Sequence, residues 1–213
     1  MGDGALRRAE VPAPTVARLP LYHRALADLS ARGVTTASSA ELAGSLGLNP
    51  ATLRRDLSHL GSLGLRGTGY DVATLLAGVR RALALDRDWP IAICGAGHLG
   101  LALARSEGFN SGHFRVAALF DVDLAKVGAH LTDHLVRHLD ELAVLVERER
   151  ISIGVIATPA SAAQEVAGRL VTAGVHALVN FAPVVLSLPA GARVRQVDLS
   201  AELEVLAHYG ARR

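Results

Sequence analysis

Three glycines and an aspartate carry the first chemical signal in this 213-residue chain. The apolar run Ile91-Ala92-Ile93-Cys94 leads into Gly95-Ala96-Gly97-His98-Leu99-Gly100, a G-x-G-x-x-G pattern. Such a loop between a strand and a helix suits a dinucleotide. The first glycine permits the tight turn, the second lets a pyrophosphate reach the backbone, and the third lets helix and strand pack closely. The phosphates then meet free N–H groups and the positive end of the helix dipole. A second apolar run, Val116 to Phe120, ends in Asp121, 21 positions after Gly100. That is close to the ~20 expected of an acid that binds the adenosine ribose, and it favours NAD over NADP.

A sheet must hold these residues. Ile151 to Ala157 is a continuous apolar run, as a buried parallel strand requires, and Thr158-Pro159 breaks it. Ser161 to Ala173 reads as the crossover helix and Ala177 to Asn180 as the next strand, with Phe181-Ala182-Pro183 leaving it. Asp140 is the expected cap of a helix to Arg150. Val184 to Leu188 and Val194 to Val197 are short strand candidates. Asp198 or Ser200 caps a last helix, Leu199 to Tyr209. Strands alternating with helices predict a parallel, doubly wound sheet. His130, His134 and His138 share a helical spacing, but no Cys or nearby acid completes a metal site, and none is predicted.

The first third of the chain has a different pattern. Thr15 can cap a helix with Leu19, Leu21, Leu26 and Leu29 on its apolar side. Pro20 suits only a first turn, so a late start or a kink is expected. Ser38 and Glu41 form a capping box before a short helix. Asn49 caps the next helix and Pro50 takes its first position. Leu53, Leu57 and Leu60 face inward at i, i+4, i+7, while Thr52, Arg54, Arg55, Ser58 and His59 face elsewhere. Two helices joined by a tight turn, the second bearing Arg and Thr outward, read as a helix-turn-helix. A plain helical hairpin with a solvated basic face would share the pattern. The glycine-punctuated stretch from Leu63 to Tyr70 adds a small hairpin with Arg66 near its tip, which makes a winged helix. Arg54 and Arg55 then meet the major groove or its phosphates, and Arg66 a phosphate or the minor groove. Asp71 caps a further helix, Val72 to about Leu85.

Composition sets bounds. Half the residues are hydrophobic, so the chain can bury a real core, yet no run of 18 apolar residues predicts a membrane span. A start without an apolar segment and a single cysteine, Cys94, lead us to expect a cytoplasmic protein. Cys94 reads as a small buried hydrophobe. Residues 1–88 hold 11 Arg and 8 acidic residues, and the rest 11 basic and 12 acidic ones. A mildly basic first part is compatible with nucleic acid. Arginine supplies 21 of the 22 basic residues. No catalytic set is visible, and the residues after Gly100 suffice only to finish a nucleotide fold and one helix. A nucleotide site beside a DNA-binding pattern suggests a sensor rather than an enzyme. Two alternatives have stated requirements. A small dehydrogenase needs an acid or base near Phe181, where no His or Lys stands. Another adenine ligand, such as coenzyme A, has Asp121 against it.

The chain resembles the Rex family of redox-sensing transcriptional repressors, over about residues 15–209. The resemblance rests on Arg18-Leu19-Pro20-Leu21-Tyr22, Leu53-Arg54-Arg55-Asp56-Leu57-Ser58, Arg66-Gly67-Thr68-Gly69-Tyr70-Asp71-Val72 and the loop Gly95 to Gly100. Phe120-Asp121-Val122-Asp123, Ala157-Thr158-Pro159-Ala160, Asn180-Phe181-Ala182-Pro183 and Val197-Asp198-Leu199-Ser200 complete it. It implies a homodimer that binds an inverted-repeat DNA operator and is released by NADH, with the last helix exchanged between subunits. Gly95, Ala96, Gly97, His98, Leu99 and Gly100 would hold the pyrophosphate and Asp121 the ribose. Thr158 and Pro159 would line the crevice, and Asn180, Phe181, Ala182 and Pro183 would surround the nicotinamide of NADH or NAD⁺. Asn49, Thr52, Arg54, Arg55, Ser58, Arg66 and Gly67 would face DNA. Arg24 and Asp198 match positions tied to coupling between domains. Ser106 departs from the family, which usually has Tyr there, near the nicotinamide. The family's Asn or Arg after the second glycine is His98 here. The resulting expectation is a disordered 1–14, a winged-helix domain at 15–86, a Rossmann domain at 87–198 and a dimerisation helix and tail at 199–213.

Overall fold

The computed structural model describes residues 11–61, the backbone of 64–65, and residues 69–110 and 112–211. The chain divides into two compact units, Met1–Arg87 and Asp88–Arg213.

In the first unit, α1 spans Ala13–Ala31 with Pro12 at its cap position and a proline in its first turn. A proline costs nothing there, because its missing N–H would have no helical partner anyway. Thr15 is therefore not the cap expected, and residues 13 and 14 are helical rather than disordered. The helix also runs through Pro20 instead of starting after it. Leu19, Tyr22 and Leu26 are buried, whereas Leu21, expected inside, is exposed. Tertiary burial of that stripe outweighs the lost backbone bond at Pro20.

β1, Thr36–Ala37, has no counterpart in the sequence reading. α2 is Ser39–Ser45, closed by the expected Ser38–Glu41 box, and α3 is Pro50–Ser58, whose cap Asn49 accepts from the Ala51 N–H. β2 (Gly64–Leu65) and β3 (Gly69–Asp71) pair antiparallel, and β1 joins the other side of β3. The expected hairpin is thus the larger part of a three-stranded sheet. α4, Val72–Ala82, is capped by Asp71 as expected. Leu19, Tyr22, Leu26, Leu53, Leu57, Leu75 and Val79 share one core.

In the second unit, β4 is Trp89–Cys94, so Trp89 and Pro90, read as a polar bridge, already belong to the sheet. α5 (His98–Arg105), α6 (Glu107–Asn110) and β5 (Phe114–Asp121) follow. β6, Val136–His138, is a strand that the aperiodic 130–139 segment did not reveal. A 3₁₀ turn, Leu139–Glu141, leads into α7, Leu142–Glu149. Its cap is His138, whose ring accepts from the Asp140 N–H, and not Asp140 as expected. Asp140 instead meets Arg169 at 2.6 Å. β7 (Ile153–Ile156), α8 (Ala160–Thr172), β8 (Ala177–Asn180), β9 (Arg193–Gln196) and α9 (Leu199–Gly210) complete the chain. No strand forms at 184–188, contrary to the sequence reading. Those residues belong to the connection 181–192, held by side-chain bonds from Asn180 and Gln164 instead of a ladder.

The six strands are parallel in the order β6-β5-β4-β7-β8-β9. Numbered within the unit this is 3-2-1-4-5-6, the doubly wound nucleotide-binding order. Strand alternation splits the core. Ile91 and Ile93 of β4 face one cluster with Val116 and Leu119, while Ala92 and Cys94 face the other with Phe120 and Ile156.

Candidate nucleotide cleft and DNA-facing helix

Strand order reverses between β4 and β7, and a crevice opens outside their carboxyl ends. It is a cleft of about 330 Å³, lined by Gly95, Gly97, Asp121, Lys126, Thr158 and Pro159 among others. The three glycines divide the work as their spacing predicts. Gly95 has φ +109°, and a side chain there would strike the Ala157 carbonyl. At Gly100 a side chain would collide with the Gly95 carbonyl. Gly97 is open, with nothing within 4 Å of where a Cβ would stand. That open backbone is where a phosphate can approach.

Gly97 is also the cap residue of α5, and no side chain caps this end. The first turn, His98, Leu99 and Gly100, is thus left with amide donors for an anion. His98 and Leu99 are exposed, while Gly100 is buried. Pro159 caps α8 without a side-chain bond in the same way. Thr158 lines the cleft, and its Oγ1 is buried with no hydrogen-bond partner among the described residues. A buried hydroxyl without a partner is costly, and a ligand polar group would satisfy it. The residues present fit a dinucleotide.

Asp121 closes the far wall. Its Oδ1 accepts from the Val122 and Asp123 N–H groups, and its Oδ2 from the Ala96 N–H at 2.8 Å and from Lys126 Nζ at 3.2 Å. Burial pushes its pKa up, but the bonds from Asp123, Ala96 and Lys126 outweigh that and hold it below the usual carboxylate range. Ala96 itself is buried, so its part is this backbone tie. Lys126 was not singled out from the sequence, although it is the chain's only lysine.

The 180–183 group lies at the end of β8. Asn180 is fully buried, and its amide nitrogen reaches the Ala182 and Val184 carbonyls and Gln196 Oε1. Its oxygen accepts from the Ala182 N–H. Asn180 therefore holds the Phe181-Ala182-Pro183 turn from beneath. Gln196, which supports it, carried no signal in the sequence. Ala182 is buried, Phe181 half-buried and Pro183 exposed. Ser106 ends α5 and is half-buried. Asp198 caps α9 through Oδ1, and Arg24 is exposed on α1.

Cys94 lines the cleft but is buried, and burial pushes its thiol up to about 12. It packs as a hydrophobe. His130, His134 and His138 fall in a bridge, a bend and a strand, so their helical spacing is not realised. Among the described residues no three His, Cys, Asp or Glu side chains could hold a metal. Among them, too, no helix is long and apolar enough to cross a membrane.

In the first unit, Arg54, Arg55 and Ser58 are exposed along α3, and Thr52 is half-buried. Among the described residues neither arginine is in an ion pair. The Ser58 hydroxyl donates to the Arg55 carbonyl, and Asn49 serves as the cap. Arg66 and Gly67 lie outside the described residues. Behind the exposed face sits a group that the sequence reading missed. Asp56, 1% exposed, accepts from Thr15 Oγ1, from Arg18 through Nε and Nη2, and from the Tyr22 hydroxyl, at 2.6 to 2.8 Å. The Arg18 bond dominates and, against burial, holds Asp56 at about 2, with Tyr22 and Thr15 helping. Burial is the main cause pushing Tyr22 up to about 12. The signal was present: Asp56 falls on the Leu53–Leu57–Leu60 stripe, where an acid needs partners.

Known proteins match both units. Residues 10–58 match the family described as a putative DNA-binding protein N-terminus, and residues 86–184 match the CoA binding domain. The redox-sensing transcriptional repressor Rex of Streptomyces avermitilis is 54% identical over 98% of this chain and 83% of its own. A crystal structure of RSP, a Rex-family repressor, in complex with β-NAD⁺ and operator DNA superposes with a TM-score of 0.89. Its identity is 33%, over 93% of this chain and 92% of that one. The RSP complex with β-NADH gives 0.84 at 31% identity, over 94% of each chain. With its glycine-loop cleft, its arginine-bearing second helix and this degree of likeness, the chain belongs to the Rex family of redox-sensing transcriptional repressors.

Proposed function

We propose that this repressor binds an inverted-repeat operator as a homodimer when free or bound to NAD⁺, and that NADH releases it. One observation carries the reading. A dinucleotide cleft with an open Gly97, an uncapped α5 and a partnerless Thr158 hydroxyl shares a chain with a helix that exposes Arg54 and Arg55. RSP, a solved relative, has been crystallised with NAD⁺ and operator DNA and with NADH. The coenzyme A alternative, which the family description for residues 86–184 keeps in view, has Asp121 against it.

The two nicotinamide forms differ by one positive charge. A largely apolar surround at Phe181, Ala182 and Pro183 favours the neutral ring, because burying an unpaired charge is costly. A preference of about 10³-fold requires only about 4 kcal/mol. Driving the dimer nearly fully from one state to the other requires ~10⁴-fold differential affinity, so ligand binding must be coupled to domain movement. We assign that coupling to Arg24 and Asp198. Ser106, where the family usually has Tyr, sets its strength. The dimer reading draws on α9, which has no buried residue and exposes Leu199, Leu203, Leu206 and Tyr209. Such a face needs a partner, and a second copy supplies it. Arg66 and Gly67 complete the DNA contact, and the place of action is the cytoplasm.

A mobility-shift titration on a candidate inverted repeat tests this. Micromolar NADH should dissociate the complex while NAD⁺ leaves it intact. A complex that NADH never dissolves would overturn the sensor reading.

A further inference from the structure

The chain's only lysine stands in the cleft, within reach of two carboxylates. Lys126 Nζ lies 3.2 Å from Asp121 Oδ2 and 3.5 Å from Asp123 Oδ2. Asp121 has four hydrogen-bond partners, the amides of Ala96, Val122 and Asp123 and this ammonium. A carboxylate offers about four lone-pair sites, so its capacity is filled. Three of the partners are backbone groups fixed by the loops around them. Lys126 is the exception, a flexible side chain left 36% exposed, against 10% for Asp121. A sugar hydroxyl that pairs with Asp121 must take the place that Lys126 holds. Asp123, 48% exposed, stays within reach of the displaced ammonium.

We propose that Lys126 is a specificity-determining residue of the ribose subsite: it yields its place on Asp121 to a ribose hydroxyl and, retained by Asp123, sets the charge that a 2′-phosphate meets. This rests on the NAD(H) reading above. Two carboxylates and one ammonium leave the subsite with one net negative charge. That rejects a phosphate, but less strongly than Asp121 and Asp123 would without the lysine. Lys126 and Asp123 therefore tune a preference that Asp121 alone is usually taken to fix.

The experiment is a titration of the full chain with NADH and with NADPH at low ionic strength, comparing dissociation constants. Lys126→Met should raise the NADPH-to-NADH ratio of Kd values about tenfold, and Asp123→Asn should lower it about tenfold. Each changes the local charge by one unit a few ångström from the phosphate. Lys126→Arg, which keeps the charge, should restore a ratio close to that of the wild type. Added salt should shrink all these differences. A purely structural lysine would change both affinities together. An unmoved ratio in Lys126→Met and Asp123→Asn, with NADH still bound, overturns this proposal alone. A wild-type chain that binds neither nucleotide overturns the nucleotide reading and this proposal with it.

Discussion

Asp56 in the first unit and Asp121 in the second are both held below the usual carboxylate range, by different kinds of partner. Asp56 is closed in by three side chains from α1, Thr15, Arg18 and Tyr22, and offers nothing to solvent. Asp121 is tied mainly by backbone amides at the edge of a cleft, and its one side-chain partner can leave. The first carboxylate fixes a helix, whereas the second has one flexible partner whose place a ligand can take. A low pKa alone does not separate the two roles. The identity and mobility of the donors do.

Asp56→Ala should destabilise the first unit by about 3–5 kcal/mol, the loss expected when one partner of a buried ion pair is removed. Denaturant unfolding of the full chain, with hydrogen exchange followed over residues 13–61, measures it. If that exchange is unchanged, the network is not structural. Next in size is Asp121→Ala, which should cost about 1–3 kcal/mol in NADH affinity, as for a hydrogen bond to a charged group. Operator binding by the free protein should stay intact, since Arg54 and Arg55 belong to the other compact unit. Arg54→Ala or Arg55→Ala should weaken operator binding by about 1–3 kcal/mol, with NADH affinity unchanged. Wild-type DNA affinity in both variants would remove α3 from the interface.

A pH series sharpens the same contrast. Asp56 has a folded pKa of about 2, below its ordinary value, so its stabilisation is complete above about 4. It is lost as pH falls through about 2. Tyr22 is shifted the opposite way, to about 12, so its contribution is complete below about 10 and lost as pH rises through 12. Protection of the first unit should therefore hold a plateau between about 4 and 10, and Asp56→Asn should flatten the acid limb. Smallest of all, Cys94 should resist a thiol reagent at neutral pH in the folded chain, because burial keeps it protonated. Rapid modification without unfolding would show the cleft floor to be open.

Much of this was legible in residue order. Local rules placed the Ser38–Glu41 box, the caps at Asn49, Asp71 and Asp198, the glycine loop and the strand Ala177–Asn180, because each depends on neighbours a few positions away. The errors came where distant residues decide. Thr15 looked like a cap and is a buried donor to Asp56, 41 positions on. Asp140 looked like a cap and pairs with Arg169. Asn180, expected around the nicotinamide, is also a buried support of the loop that follows it, a role that residue order did not show. β1 and β6 are too short for a pattern of their own and exist because β3 and β5 offer them edges.

By itself the sequence determined that a strand, a three-glycine turn and a helix stand in tandem with a basic helix-turn-helix, because spacing and periodicity encode local geometry. Only the tertiary structure decided that Asp56 is a buried strut and that Lys126 stands on Asp121. That depends on what surrounds each one: Arg18 and Tyr22 seal Asp56, while Lys126 can still leave Asp121. Hydrogen-bond capacity is filled across the fold, by residues that the order of the chain does not bring together.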